Sequence, residues 1–255
     1  MKYKDPNLKT EKSLINQINK MKIDGGISNC IRYENNFFFN FVNLKNKDLI
    51  EFGCGIYPSS FGIAKNKMPK NYFATDVSKR IIEIAKKNDD KPIYKVINLE
   101  KKINLNKKFD IIILKGVLHH TKNPEKILIK LKKILKKKGL IIISEPNLSS
   151  IVGNFLKFIL KLLFNKDMED SPYGQYNYKK ISKSINNANL LISKKWYTQF
   201  VLIIASGDYG RIKIFPDSVY LFKFFILMEN ICFYILSFFQ ISKFVNFKIN
   251  LIVKK

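Results

Sequence analysis

Few side chains in this chain have the type and placement that chemistry needs. The only histidines are adjacent, His119 and His120, and they are the only unperturbed groups that titrate near neutrality. They follow an apolar run, Ile111-Ile112-Ile113-Leu114, that reads as a strand. That puts them at a strand's carboxyl end, where ligands sit in open α/β sheets. A histidine there can serve as general base for a hydroxyl nucleophile. Packing under a ligand and capping a turn are the other roles open to the pair. A second cluster is Leu49-Ile50-Glu51-Phe52-Gly53-Cys54-Gly55, an apolar strand ending in an acid and a Gly-x-Gly turn. Its glycines let the backbone approach a ligand closely. Pro58-Ser59-Ser60 is expected to open a helix whose first N–H groups are available. A following strand ends in Asp76, a carboxylate able to accept two hydrogen bonds from a ribose diol. Two histidines exclude a multi-histidine metal site. Cys30, Cys54 and Cys232 are far apart and give neither a disulfide framework nor zinc spacing.

These residues need a scaffold, and residues 48–145 supply its pattern. Short β-rich runs at Asp48–Phe52, Tyr72–Asp76, Ile93–Asn98, Phe109–Leu114 and Leu140–Ser144 alternate with helical patterns near 59–67, 78–88 and 123–138. Continuous apolar runs are expected of strands covered on both faces. In the last helix Asn123-Pro124 opens, Gly139 closes, and Ile127, Leu128, Leu131, Ile134 and Leu135 form one stripe. Lys126, Lys130, Lys133 and Lys137 fall on the opposite, solvated side. The alternation argues a parallel sheet wrapped by helices. Ile151–Phe164 and Val219–Lys243 read as further, apolar helices. A sixth strand is expected near Trp196–Ala205 and a seventh at Phe247–Val253.

In this order the motifs resemble the class I S-adenosylmethionine-dependent methyltransferases, in particular the branch of the ubiquinone/menaquinone-biosynthesis enzymes. Glu51-Phe52-Gly53-Cys54-Gly55 is similar to the family's first motif, and Tyr72–Asp76 to its second strand with the ribose-binding acid. Val96–Glu100 stands where the family reads adenine, Phe109–His120 is similar to the fourth strand and the segment after it, and Gly139–Asn147 to the fifth. The resemblance implies a Rossmann-like α/β fold, a seven-stranded mostly parallel sheet with helices on both faces, plus apolar helical insertions after strands 5 and 6. It implies S-adenosyl-L-methionine as cofactor, held by Glu51, Gly53, Cys54, Gly55, Asp76, Val77, Asn98, Leu99 and Lys115. His120, and after it His119, would attend the acceptor. Glu145, Tyr173 and Tyr176 would contact it, with Asp167–Tyr176 as a loop able to close over it. No metal is implied, because Gly116 and His119 stand where the related O-methyltransferases place metal-binding acids. Tyr57 replaces a usual third glycine, and either reshapes the turn or crowds the methionine end. Asn98 replaces a usual aspartate, and its amide oxygen can accept the same hydrogen bond.

The chain has 255 residues, with 46 Lys+Arg against 20 Asp+Glu, a formal net charge of +26. That size suits one α/β domain with an appendage, read as an N-terminal helical segment 1–47, a core 48–205, an apolar helical insertion 206–246 and a last strand 247–255. The charge suggests nucleic acid, but only Arg32, Arg80 and Arg211 are arginine, the side chain suited to bidentate phosphate and base recognition. No nucleic-acid partner is expected. Met1–Lys20 has no apolar signal region, and the longest charge-free run in the insertion, Asn230–Ser242, is short for a membrane span. The expected location is cytoplasmic, with peripheral membrane association through Lys157, Lys161, Lys223 and Lys243 along apolar helices. The expected activity is methyl transfer to an oxygen or carbon of a small or lipid-linked acceptor. The alternatives are a nucleic-acid methyltransferase and a non-catalytic membrane-associated module with a decayed cofactor pocket.

Overall fold

The computed structural model describes residues 24–101, 103, 105–164, 177–207 and 214–255. The described elements are α1 (Gly26–Phe39), β1 (Asp48–Phe52), β2 (Asn71–Asp76), α2 (Lys79–Asn88), β3 (Ile93–Val96), β4 (Phe109–Lys115), α3 (Pro124–Ile134) and β5 (Leu135–Pro146). They continue with α4 (Ile151–Phe164), α5 (Tyr178–Asn187), β6 (Leu191–Thr198), α6 (Val201–Ala205), α7 (Val219–Phe238), α8 (Ser242–Val245) and β7 (Lys248–Lys254). The strands form one sheet in the order β3-β2-β1-β4-β5-β7-β6. All are parallel except β7, which runs antiparallel to both β5 and β6. The expected fold class is the one observed.

The apolar runs explain the layering. Ile112 and Leu114 of β4 and Ile141 and Ile143 of β5 point to one face, under Ile127, Leu128 and Leu131 of α3 and Ile181 and Ile185 of α5. Ile111 and Ile113 point to the other, under Phe38 and Phe39 of α1 beside Trp196. Helix starts follow local chemistry: Ser78 accepts from the Ile81 N–H at 3.2 Å, and Asn123 from the Lys126 N–H at 3.0 Å with Pro124 next in line.

Three expectations about the scaffold are corrected. No α-helix follows the glycine turn. Pro58–Gly62 make successive tight turns (Phe61 N–H to Pro58 C=O, Ile63 N–H to Ser60 C=O), Gly62 sits at φ +90°, and only a single 3₁₀ turn forms at Lys65–Lys67. The α3 helix stops at Ile134, not near Lys138. Lys136 is drawn to Asp110 (2.7 Å) and Asp48 (2.9 Å) at the foot of the sheet, and Leu135 already pairs with Phe109. Gly139 therefore lies inside β5, where a Cβ would meet the Asp110 carbonyl oxygen at 3.1 Å. The sixth strand is Leu191–Thr198. Gln199 at φ +69° ends it, and Val201–Ala205 is helical because the buried Glu229 carboxylate collects the N–H groups of residues 199–202.

Candidate active site

The site lies at the carboxyl ends of β1, β2, β4 and β5. Gly53 and Gly55 leave β1 with φ of +68° and +58°. A Cβ at Gly53 would stand 2.5 Å from Val117 Cγ2, whereas the space at Gly55 is open. Gly55 donates its N–H to Asp76 Oδ2 at 3.2 Å, so the turn and the acid at the end of β2 face each other. The Asp76 carboxylate also accepts from Ser78 N–H at 3.0 Å, and Val77 beside it is exposed. Ile97 donates to the Asp76 carbonyl, which brings Asn98 and the buried Leu99 to the same end of the sheet. Asn98 Oδ1 accepts from Glu100 N–H at 2.8 Å; an amide oxygen has two lone pairs, so one acceptor position remains. The Cys54 thiol is buried against Ala74, Ile82 and Ala85, and burial beside Glu51 and Asp76 pushes it well up, away from thiolate chemistry.

Glu51 is placed beneath this turn, not in it. Its carboxylate is buried and accepts from Ser59 N–H (2.9 Å), Ser59 Oγ (2.5 Å) and the Tyr72 hydroxyl. Burial raises its carboxyl above the ordinary value. Ser59 N–H, expected to be available at a helix start, is thus already engaged. Tyr57 turns its ring onto Phe61 (centroids 4.7 Å apart), toward the cluster of α1 and α7.

The histidines are told apart by Glu145. This carboxylate, fully buried at the end of β5, accepts from the N–H groups of Val117 (3.1 Å) and Leu118 (2.8 Å) and lies 2.5 Å from His119 Nδ1. The His120 ring stacks on His119 with centroids 3.9 Å apart. Gly116, at φ +67°, makes the bend that turns the chain back toward β5. Glu145 is engaged by His119 and the turn, and His119 is the histidine that this buried carboxylate orients.

Lys115, expected at the cofactor, is directed to α1. Its Nζ donates to Asn35 Oδ1 at 2.5 Å and lies 3.9 Å from Glu34, and its ammonium pKa is lowered by burial. Glu34 also pairs with Lys248 of β7 at 2.7 Å. Asn35 is fully buried and donates to the Pro58 and Phe61 carbonyls, tying α1 over the glycine turn. Nothing in the sequence reading pointed to Glu34, Asn35 or Lys248. The one signal was an amide amid the apolar residues of α1. Lys115 pairs with Ser144, Ser144 with Asn250 and Asn250 with Trp196, so one row crosses four strands at the sheet's carboxyl edge. Among the described residues Ser144 Oγ and Trp196 Nε1 in this row are buried without a hydrogen-bond partner. A small cleft is lined by Tyr33, Glu34 and Phe37 of α1, Trp196 and Asn250 of the sheet, and Phe233 of α7. Tyr173 and Tyr176 lie outside the described residues.

A family model described as a methyltransferase domain matches residues 43–200. A ubiquinone biosynthesis O-methyltransferase from Pelagibacter ubique is 31% identical over 170 residues, 60% of this chain and 64% of that protein, so the match spans less than two thirds of the relative's length. Among solved structures, an S-adenosylmethionine-dependent methyltransferase from Archaeoglobus fulgidus superposes with a TM-score of 0.57 at 11% identity, covering 89% of this chain and 94% of that one. A magnesium protoporphyrin IX methyltransferase from Synechocystis, solved with bound S-adenosylhomocysteine, has a TM-score of 0.54 at 14% identity, with 90% and 84% covered. At these identities the two structures share the fold.

Proposed function

The chain belongs to the methyltransferase-domain family, and we propose that it is an S-adenosylmethionine-dependent methyltransferase acting on an oxygen or carbon of a small or lipid-linked acceptor, with His119 as the base. The observation that carries this reading is the buried Glu145–His119 pair, set beside a glycine turn that faces Asp76. The residues fit the donor. Two left-handed glycines, one with open space where a side chain would stand, let the backbone lie against it. Asp76 would hold the ribose hydroxyls, and Asn98 and Leu99 the adenine. Glu51 holds the turn from below and acts through it. Residues 48–205 with 247–255 form the catalytic core in this reading.

The chemistry supplied by S-adenosylmethionine is an electrophilic methyl carbon on a sulfonium, displaced in line. The chain's own task is to orient the nucleophile and take its proton. With Nδ1–H donating to Glu145, the imidazole of His119 is fixed in the tautomer whose Nε2 is the acceptor. An acceptor hydroxyl placed before that Nε2 would give it its proton as the hydroxyl oxygen takes the methyl group that bound S-adenosylmethionine would supply. The buried carboxylate then stabilises the imidazolium that results. We assign the acceptor's reacting oxygen to the place before His119 Nε2. The resemblance to an O-methyltransferase of ubiquinone synthesis favours a quinol-like acceptor.

The test is mass spectrometry of quinols and of a lipid extract incubated with enzyme and methyl-labelled donor, read for a labelled product. His119→Ala should lower kcat by about 10²–10⁴-fold while donor binding by calorimetry is unchanged. His120→Ala should cost less than about tenfold. No heat on adding donor would overturn the cofactor site, and full turnover in His119→Ala would overturn the base.

A further inference from the structure

Helix α7 is apolar on every side, yet only one side is packed. Phe222 and Glu229 are buried, and Phe225, Ile226 and Phe233 lean on the body of the protein. The other side is open: Tyr220 is 83% exposed, Phe238 81% and Tyr234 68%, with Phe224, Leu227 and Ile231 between them. An apolar, aromatic side of this helix therefore faces outward, and the side that carries Glu229 faces in. Its rotation is pinned. Glu229 accepts from the N–H groups of residues 199–202 at the start of α6, and Asn230 accepts from the Tyr33 hydroxyl at 2.6 Å. Helix α4 repeats the arrangement on a smaller scale. Ile151, Phe155, Phe158 and Leu162, spaced four, three and four apart, form an exposed stripe, while Val152 and Leu156 pack on Ile203 and Phe247.

We propose that the outward face of α7, with the adjoining stripe of α4, docks on the surface of an anionic lipid bilayer. Charge selects this occupant. The only acid in α7 is Glu229, which is inside, and neither α4 nor α8 contains one. The open face carries Lys223 against the Tyr220 ring and Lys243 against the Phe244 ring, an aromatic and basic combination suited to headgroup depth. A second copy would bring +26 against +26 and the same lysines against each other. An anionic bilayer accepts both the rings and the charge. Among the described residues α7 is the one helix long and apolar enough to cross a membrane. Phe222 and Glu229 fasten it along the protein, so it lies on the bilayer and does not span it. Lys157 Nζ donates to the Leu148 carbonyl at 2.8 Å, which ties it to the chain before α4.

The experiment is flotation of the full chain, without cofactor, on vesicles of phosphatidylcholine alone and of phosphatidylcholine mixed with phosphatidylglycerol. Because donor and acceptor are absent, the result is independent of the methyl-transfer reading. The protein should float with the anionic vesicles and be released by salt. The variant carrying Phe224→Ser, Leu227→Ser and Phe238→Ser should bind about a hundredfold more weakly or worse, with an unchanged circular dichroism spectrum. Lys223→Glu with Lys243→Glu should weaken binding about tenfold or more. Protein remaining at the bottom with anionic vesicles overturns the proposal. So does binding that the serine variant retains. Concentration-dependent dimerisation without vesicle binding, abolished by the same serines, would assign the face to a second copy instead.

Discussion

The two ends of this chain's long sheet treat apolar residues in opposite ways. Around β1–β5, the isoleucines of β1, β4 and β5 go inside and lysines other than Lys115 stay at the surface. Even there the lysines are used: Lys130 donates to the carbonyls of Leu99, Glu100 and Lys101, Lys132 to those at the end of α5, and Lys136 bridges Asp48 and Asp110. Both regions bury carboxylates, Glu51 and Glu145 in the first and Glu229 in the second, but around α4 and α7 the apolar pattern inverts, and phenylalanines and isoleucines stand in the open. Buried polar groups persist where hydrogen bonds satisfy them, and Glu229 has four peptide N–H donors. The lesson is that the apolar pattern of a helix gives its propensity to be covered, while the partner that covers it need not belong to the same chain.

The sharpest way to break this comparison is Glu229→Ala. It would leave four buried N–H groups without their acceptor and release the rotation of α7, at a cost of about 3 kcal/mol or more in urea unfolding. A loss under about 1 kcal/mol would mean that the corner after β6 holds without it. On the sheet side, Lys136→Met should cost on the order of 1 kcal/mol, since the cluster is partly exposed. The effect has a definite pH signature. Against the opposing effect of burial, Asp48 is held below the ordinary carboxylate value by hydrogen bonds from Lys107, Asn71 and Lys136, and Asp110 by the Asp48 N–H and Lys136. Their contribution is full above the unfolded carboxyl value and is lost as pH falls through the depressed folded values. The variant should therefore show a shallower loss of stability on the acid side, read as the melting temperature against pH. The smallest effect is expected at Phe238→Ser. In buffer it should change stability by less than about 0.5 kcal/mol, although a phenylalanine is removed. A loss of the size seen for buried aromatics would show that this ring is covered within the folded chain.

Much of the core was legible from one sequence. β1 and α4 fall on their expected bounds, and β2, β4 and β7 within a residue at either end. Continuous apolar runs and their turn residues are local signals. The Gly-x-Gly turn and Asp76 were legible as chemistry for the same reason, and the fold sets them in contact. What was misread depended on distant partners. Leu135 and Lys136 continue a helical stripe in sequence, but Phe109, Asp48 and Asp110 pull them into strand β5. Val201–Ala205 has strand-like composition and becomes helix because a carboxylate about thirty residues away caps it. His119 and His120 are equivalent in sequence, and Glu145 separates them.

The sequence by itself determined the α/β layering, the places where a ligand meets the sheet, and the presence of two strongly apolar helices. Periodicity, glycine and capping residues act over a few bonds, and those bonds are written in order along the chain. Tertiary structure decided which histidine meets the buried Glu145, that Glu51 and Glu145 support the site from beneath, and that α7 turns its aromatic side outward. Each of those outcomes rests on a buried carboxylate choosing among donors far apart in sequence. The cost of leaving such a group unpaired is what fixes the choice, and it exists only once the chain has folded around it.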